Sequence, residues 1–423
     1  MTITRPVLTY AGAVCKRMLI DHSTITPGAR CMHSDGLLWT RSGPNGRTRH
    51  DRKRLAWLLS VVYPLGPVYA IALHAWTGQA LWLLAPIAFT YGLVPLLDRL
   101  FGEDRSNPTE ADVPRLQNDR YYRILTWVTV PLHVIALVAA CSYFVLAELS
   151  LFGAIVLAVT TGLFSGLAVN TGHEMGHHRH PIDQFMTRVA LAVPFYGHFT
   201  VEHNFGHHKA VATPEDHASA RFNESIYSFA RREIPGGLTR SWQIEARRLA
   251  RRGKPWYSWH NVILQSHAIA LLLQGSLVLA LGWPALVFLL LHNAIAWFQL
   301  TSANYVEHYG LLRSRGPDGR YERCQPHHSW NSNHVMSNLL LFHLERHSDH
   351  HAHPGRRYQC LRDFDDVPRL PSGYFGMFLL AYVPPLWFRV MNPRLLALPH
   401  IQGDRSRINL GPKTPAAASL TAG

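Results

Sequence analysis

LFGAIVLAVTTGLFSGLAVNTGHEMGH, residues 151–177, joins the two patterns that decide the fold. From Leu151 to Asn170 it carries no charge and is long enough to cross a hydrocarbon core of about 30 Å as a helix. It then runs into His173-Glu174-Met175-Gly176-His177, where two imidazoles at i and i+4 share one helix face. A metal-binding pattern is thus placed where a membrane span ends.

Five further apolar runs extend this reading: Leu55–Trp76, Leu81–Leu97, Ile124–Leu146, Val262–Leu281 and Pro284–Ala303. Short connections at Thr77–Gly78, Ala147–Ser150 and Gly282–Trp283 pair the runs into three helical hairpins. The expected fold is an all-α integral membrane protein with six transmembrane helices. An even number of crossings returns each long segment to the same side. Those segments are basic, with Arg247, Arg248, Arg251, Arg252 and Lys254 together. Positive-inside bias then puts both termini and all long segments in the cytoplasm, at the bacterial inner membrane. Pro64, Pro67 and Pro95 make a buried or re-entrant helix the alternative for the first two runs. The stretch Tyr374–Val390, broken by Pro384 and Pro385, reads as an interfacial or packing element.

Composition agrees with a membrane protein. Hydrophobic residues make up 48%, charged residues 16%, and the formal net charge is +14. A nucleic-acid binder is disfavoured, because the arginines lie in loops between apolar runs and not along one stripe. The five cysteines, Cys15, Cys31, Cys141, Cys324 and Cys360, form no Cys-x-x-Cys pair. That argues against a zinc ribbon, an internal rubredoxin-type site or a thioredoxin-like motif, and their odd number against a secreted disulfide scaffold. No signal peptide is read, since the first long apolar run starts near Leu55. Residues 1–50 are expected to be a poorly ordered basic segment, 51–395 the membrane domain, and 396–423 a disordered tail.

Histidines concentrate in one part of the chain: 21 of the 27 lie between His173 and His353. Three more groups follow the first: Glu202 to His208, Asn304 to Gly310, and His347 to His351. Together they offer nine candidate ligands: His173, His177, His203, His207, His208, His308, His347, His350 and His351. A catalytic zinc takes about three protein ligands, so nine point to two metal ions. Imidazole suits iron, zinc, copper and nickel alike. A site at the end of a transmembrane bundle, with no charge cluster to grip a substrate, points to an apolar substrate. Its C–H bond demands O2 and a redox metal, which zinc is not. Glu174, Glu202, Glu307 and Asp349 each adjoin a candidate ligand and are candidates to hold imidazole N–H groups. His22, His33, His50, His74, His133 and His400 stand alone and read as surface or packing residues. His178, His180, His353, His327, His328, His334 and His343 read as outer or surface residues near the motifs. His173-Glu174-x-x-His177 also matches a zinc protease signature with Glu174 as base, but the other three groups are surplus to a protease.

Taken with their spacers, these runs resemble the alkane 1-monooxygenase family. The resemblance is carried by Asn170 to His177, Glu202 to His208 with Val211 to Asp216, Asn304 to Gly310, and Arg346 to Pro354. It also includes Gly102-Glu103-Asp104, Arg232 to Gly236 and Pro326 to Asn333, and covers about Arg52 to Arg389. The resemblance implies a six-helix fold, two non-haem iron ions on the nine histidines, and terminal hydroxylation of medium-chain n-alkanes with O2. It also implies a separate rubredoxin, fed by a rubredoxin reductase, as electron donor. Asp216 joins the carboxylate candidates. His178, His180, His217 and Glu345 depart from the family pattern without removing a ligand. Xylene-type methyl hydroxylation and lipid acyl-chain oxidation are the neighbouring alternatives. In the second run, Thr90 is small among bulky neighbours and is expected to face a substrate tunnel.

Overall fold

The computed structural model describes residues 53–411; the expectations for residues 1–52 and 412–423 lie outside the described residues. Six helices are long and apolar enough to cross a membrane: α1 (Leu58–Thr77), α2 (Ala80–Phe101), α3 (Arg120–Leu146), α4 (Leu151–Gly176), α8 (Val262–Leu281) and α9 (Trp283–His308). Between α4 and α8 come α5 (Pro181–Ala192), the helical segment α6 (199–210) and α7 (Ile226–Ala250). After α9 follow α10 (His347–Ala352), α11 (Tyr374–Ala381) and α12 (Pro384–Leu396). No β-strand forms among the described residues.

Local chemistry sets the hairpins. Gly78 ends α1 in the left-handed region at φ 70. Ser150 caps α4 by accepting from Gly153 N–H, and Asn261 caps α8 by accepting from Ile263 and Leu264. The prolines bend the first two helices without ending them. A 3-10 turn at Tyr63–Leu65 follows from Pro64, and a π-turn at Phe89–Leu93 precedes Pro95. The outer faces carry Leu271, Leu272, Leu279, Leu286 and Leu290, all exposed, which suits contact with lipid.

Helices α4 and α9 form the centre of the bundle. Gly162 and Gly166 let them approach: a Cβ at Gly162 would lie 2.6 Å from Ile295 Cβ and 2.8 Å from the His292 carbonyl. His292 and Ser165 join the pair at 2.7 Å. Both helices run past their apolar stretches, so that α4 ends at Gly176 and α9 at His308. The last turn of each thus stands beyond the apolar layer, and this extension carries the histidines.

The bent pair α11–α12 turns through 120° at Pro384 and packs inward, with the Trp387 ring 5.0 Å from Tyr305. Residues 397–411 fold back, burying Ile401 and Ile408, while Asn409 N–H donates to Gly310 O at 2.9 Å. Two buried isoleucines and this backbone pairing give the segment an anchor that its polar composition concealed.

Candidate metal centre

Four elements converge at the ends of α4 and α9. His173 lies in the last turn of α4 and His177 caps it. His308 is the last residue of α9. His203, His207 and His208 come from α6, and His347, His350 and His351 from α10. The nine imidazoles sort into a group of five and a group of four: His173, His177, His203, His208 and His350; and His207, His308, His347 and His351. Within each group the ligand atoms lie within 4.8 Å of one another.

The sorting depends on a local irregularity. Residues 203–207 form a π-turn, which widens the helix by one residue per turn. His203 therefore shares a face with His208, five residues on, and their Nε2 atoms stand 2.9 Å apart. His207 turns to the other group, with Nε2 3.3 Å from that of His351. A regular α-helix would set His203 and His207 on the same face.

The donor set fits metal ions. His207 Nδ1–H donates to Asp216 at 2.8 Å, and His308 Nδ1–H to the His328 carbonyl at 3.1 Å. With these hydrogen bonds the Nε2 atoms of both rings are bare lone pairs. His308 Nε2 nevertheless faces His347 Nε2 at 3.1 Å, and His347 Nε2 faces that of His351 at 2.9 Å. In the larger group, His173 and His350 meet at 2.9 Å, and His177 Nε2 is buried with no hydrogen-bond partner. Lone pairs crowded this way repel unless a cation sits among them. Burial holds His177, His203, His208, His347, His350 and His351 well below the usual histidine range. They are therefore neutral and ready to bind a metal.

The carboxylates differ in what they hold. Asp216 grips His207, also accepts from Ser219 Oγ at 2.7 Å, and pairs with Arg240 at 2.8 Å. Burial pushes its carboxyl up, but His207 and Arg240 outweigh that and hold it below the usual range. Glu307 Oε2 lies 3.3 Å from His347 Nε2, and its Oε1 is buried without a partner. Glu202 pairs instead with Arg240. Glu174 accepts from Tyr358 N–H at 3.2 Å. Asp349 holds His353 at 2.8 Å and Arg362 at 3.0 Å. None of these three holds a candidate ligand: an arginine takes Glu202, a backbone N–H takes Glu174, and Arg362 with the outer His353 takes Asp349. Sequence reasoning set His328 aside, yet its backbone carbonyl orients His308. It also missed Glu233, whose carboxyl accepts from Thr301 and Asn304 and is pushed up to about 7 by burial. No local spacing marks either residue.

Three spaces surround the centre. A void of about 20 Å³ touches His173 and His203 of one group, His347 of the other, and Asn304 and Glu307. An apolar cleft of about 310 Å³ lies between α1, α2 and α4, lined by Tyr63, Gly66, Phe164 and Leu340 among others. Phe164 and Asn170 line the cleft and the void respectively, about 9 Å apart along α4. Thr90 is not in the cleft wall: it is buried behind Tyr63, hydroxyl to hydroxyl at 2.6 Å. A further cavity of about 570 Å³ is lined by His177 together with Arg179, Arg248 and Arg252.

Fold and site define a multi-pass helical membrane protein with a histidine-rich metal centre. Residues 149–389 match the fatty acid desaturase family. Alkane 1-monooxygenase 1 of Alcanivorax borkumensis is 50% identical over 88% of this chain and 92% of its own. Alkane 1-monooxygenase of Pseudomonas putida is 50% identical over 85% and 89%. The xylene/toluene monooxygenase hydroxylase component of Pseudomonas putida is 33% identical over 53% and 59%. The chain belongs to the alkane 1-monooxygenase family.

Proposed function

We propose that this chain hydroxylates the terminal carbon of medium-chain n-alkanes to 1-alkanols, with O2 as the oxygen source and two non-haem iron ions as cofactor. One oxygen atom enters the alkanol and the other leaves as water. The two electrons come from reduced rubredoxin, which a rubredoxin reductase recharges. The observation that carries this reading is the five-and-four division of nine imidazoles at the ends of two membrane helices, beside an apolar cleft.

His173, His177, His203, His208 and His350 would hold one ion, and His207, His308, His347 and His351 the other. Glu307, whose Oε2 lies 3.3 Å from His347 Nε2, would offer a carboxylate beside the four-histidine group. Iron would supply the redox chemistry that turns O2 against a C–H bond. The protein's own part is position. Asp216 and the His328 carbonyl each keep a proton on Nδ1, so Nε2 stays free to bind. Leu300, Ala303 and Leu344 wall the void with apolar surface and exclude water. The cleft contributes affinity at about 0.8 kcal/mol per buried CH2. Phe164 lines the cleft six residues before Asn170 of the void wall, a placement that suits delivery of a chain end. Methyl C–H bonds are stronger than internal ones, so presenting the end to the centre decides the product. The cavity that reaches His177 carries Arg179, Arg248 and Arg252, which supports placing the centre on the cytoplasmic side of the inner membrane.

Product analysis tests this. The chain is expressed with a rubredoxin and its reductase, supplied with linear alkanes and xylene, and assayed by gas chromatography–mass spectrometry. The expected result is 1-alkanols, absent with His350→Ala. Methylbenzyl alcohol alone would move the reaction to aryl methyl groups, and no oxidised product from iron-loaded enzyme would overturn it.

A further inference from the structure

We propose that a file of aromatic rings, with Trp297, Trp242 and Trp256 as its stations, carries oxidising charge from the metal centre to the surface when no substrate is in place. The proposal rests on the oxygen-activating reading above.

The file starts on a candidate ligand. Phe199 stacks on the His203 ring with centroids 5.1 Å apart, and Tyr196 stacks on Phe199 at 5.9 Å. Trp297 lies 4.6 Å from Tyr196. His198 continues the line, 5.5 Å from Trp297 and 6.3 Å from His267. Trp242 stands 6.4 Å from His267, and Trp256 6.3 Å from Trp242. Trp256 is 57% exposed and opens the file to solvent, whereas Tyr196 and His198 are buried. Rings in succession link the stations: Phe199 and Tyr196 lie between His203 and Trp297, and His198 and His267 between Trp297 and Trp242. The contacts join residues of α6, α7, α8 and α9 with the loops beside them, an arrangement that no single helix periodicity produces.

Chemistry gives the file a direction. Indole and phenol rings yield an electron to a strong oxidant but accept none from a biological reductant. The file therefore suits the outward passage of oxidising charge and not the entry of electrons from a low-potential carrier. Trp297 gives one electron to the oxidised centre, which is reduced by one. Trp242 refills Trp297, and Trp256 refills Trp242. Trp256 then takes an electron from a thiolate in solution, which is oxidised to a thiyl radical. Trp297 keeps its indole proton on the Pro194 carbonyl, 2.8 Å away, so its oxidation displaces no proton. With an alkane chain end brought to the void, the C–H bond is the nearer target. Without one, the alternative is oxidation of the imidazoles themselves.

The test uses full-length, iron-loaded enzyme, reduced and mixed with O2, with and without alkane. The wild-type protein and the variants Trp297→Phe and Trp242→Phe are compared. Freeze-quench electron paramagnetic resonance reads tryptophan radicals, and peptide mass spectrometry maps oxidised residues. Without alkane, the wild type is expected to form a tryptophan radical and to collect oxidation at Trp256 and Tyr257. Trp297→Phe should lose the radical and shift oxidation to His203 and Tyr196, whereas Trp242→Phe should hold the radical on Trp297 and shift oxidation there; both should lose oxidation at Trp256 and Tyr257 and inactivate severalfold faster. With saturating alkane, all three should turn over alike. Alkanol formation with unchanged radical yield, oxidation map and inactivation in both variants would sink the file alone. No O2 consumption by any of the three, with alkane present, would sink the oxygenase reading and the file with it. Trp242 is half-buried, so Trp242→Phe carries the comparison if Trp297→Phe fails to fold.

Discussion

Asp216→Asn is expected to weaken one metal ion and spare the other. In the native chain, one Asp216 oxygen accepts from His207 Nδ1 at 2.8 Å and the other takes Arg240 at 2.8 Å. Asparagine keeps one carbonyl oxygen and gains an NH2. Arg240 can only donate, so it claims the carbonyl. The NH2 then faces His207 Nδ1, which must accept, and the imidazole proton moves to Nε2. The four-histidine group is left with three free nitrogens, while the five-histidine group has lost nothing. Removing such a partner costs about 10–100-fold in metal affinity, or about 1.4–2.7 kcal/mol. The assay is metal per chain by mass spectrometry after equilibration with graded chelator. Wild type should hold two ions over a common range; the variant should drop to one at about 10–100-fold weaker chelation. Two ions released together at the wild-type chelator concentration would refute the tautomer argument.

Other outcomes follow from the same geometry. Burial lowers His198 to about 3 and His400 to about 4 and depresses His177, His203, His208, His347, His350 and His351, so between those values and about 6.5 the unfolded chain binds more protons. The metal-free protein should therefore keep its stability above about pH 6.5 and lose it towards pH 5; a flat melting temperature across that range would count against it. Gly162→Val should separate α4 from α9 and cost about 1–3 kcal/mol by overpacking, read as a lower melting temperature in detergent. Thr90→Trp should push Tyr63 into the cleft and shorten the longest alkane accepted; an unchanged chain-length profile would show that Tyr63 does not set the depth. Turnover at limiting rubredoxin should fall with added salt, because the basic face would steer an acidic partner; salt-insensitive turnover would remove that role.

The spans and the four histidine groups were legible because each follows from a short-range rule. An uncharged run of about twenty residues has few soluble alternatives, and imidazoles at i and i+4 declare a common face. The partners of each carboxylate do not follow from spacing, because adjacency in sequence says nothing about competition in space. Glu202 stands next to His203 yet belongs to Arg240, 38 residues away. Asp216 carries no local mark of its role, and reaches His207 only because the chain turns back between them. Thr90 was correctly seen as small, but the layer of Tyr63 that separates it from the cleft comes from another helix.

The π-turn at residues 203–207 shows why assigning ligands to particular ions was beyond reach. Glu202 to His208 reads equally well as a plain helix, in which His203 and His207 would serve the same ion. Inserting a wide turn sacrifices ideal backbone bonding, and nothing local in His203-Asn204-Phe205-Gly206-His207 demands it. What favours it is the surroundings. His207 is drawn to Asp216 on one side, while His203 is held by the Phe199 ring and faces His173, His177 and His350 on the other. A helix offering three imidazoles to two groups of histidines must split them between two faces, and one extra residue in one turn is the smallest change that does so. The irregularity is therefore a consequence of the paired groups, and it becomes visible only once both are assembled.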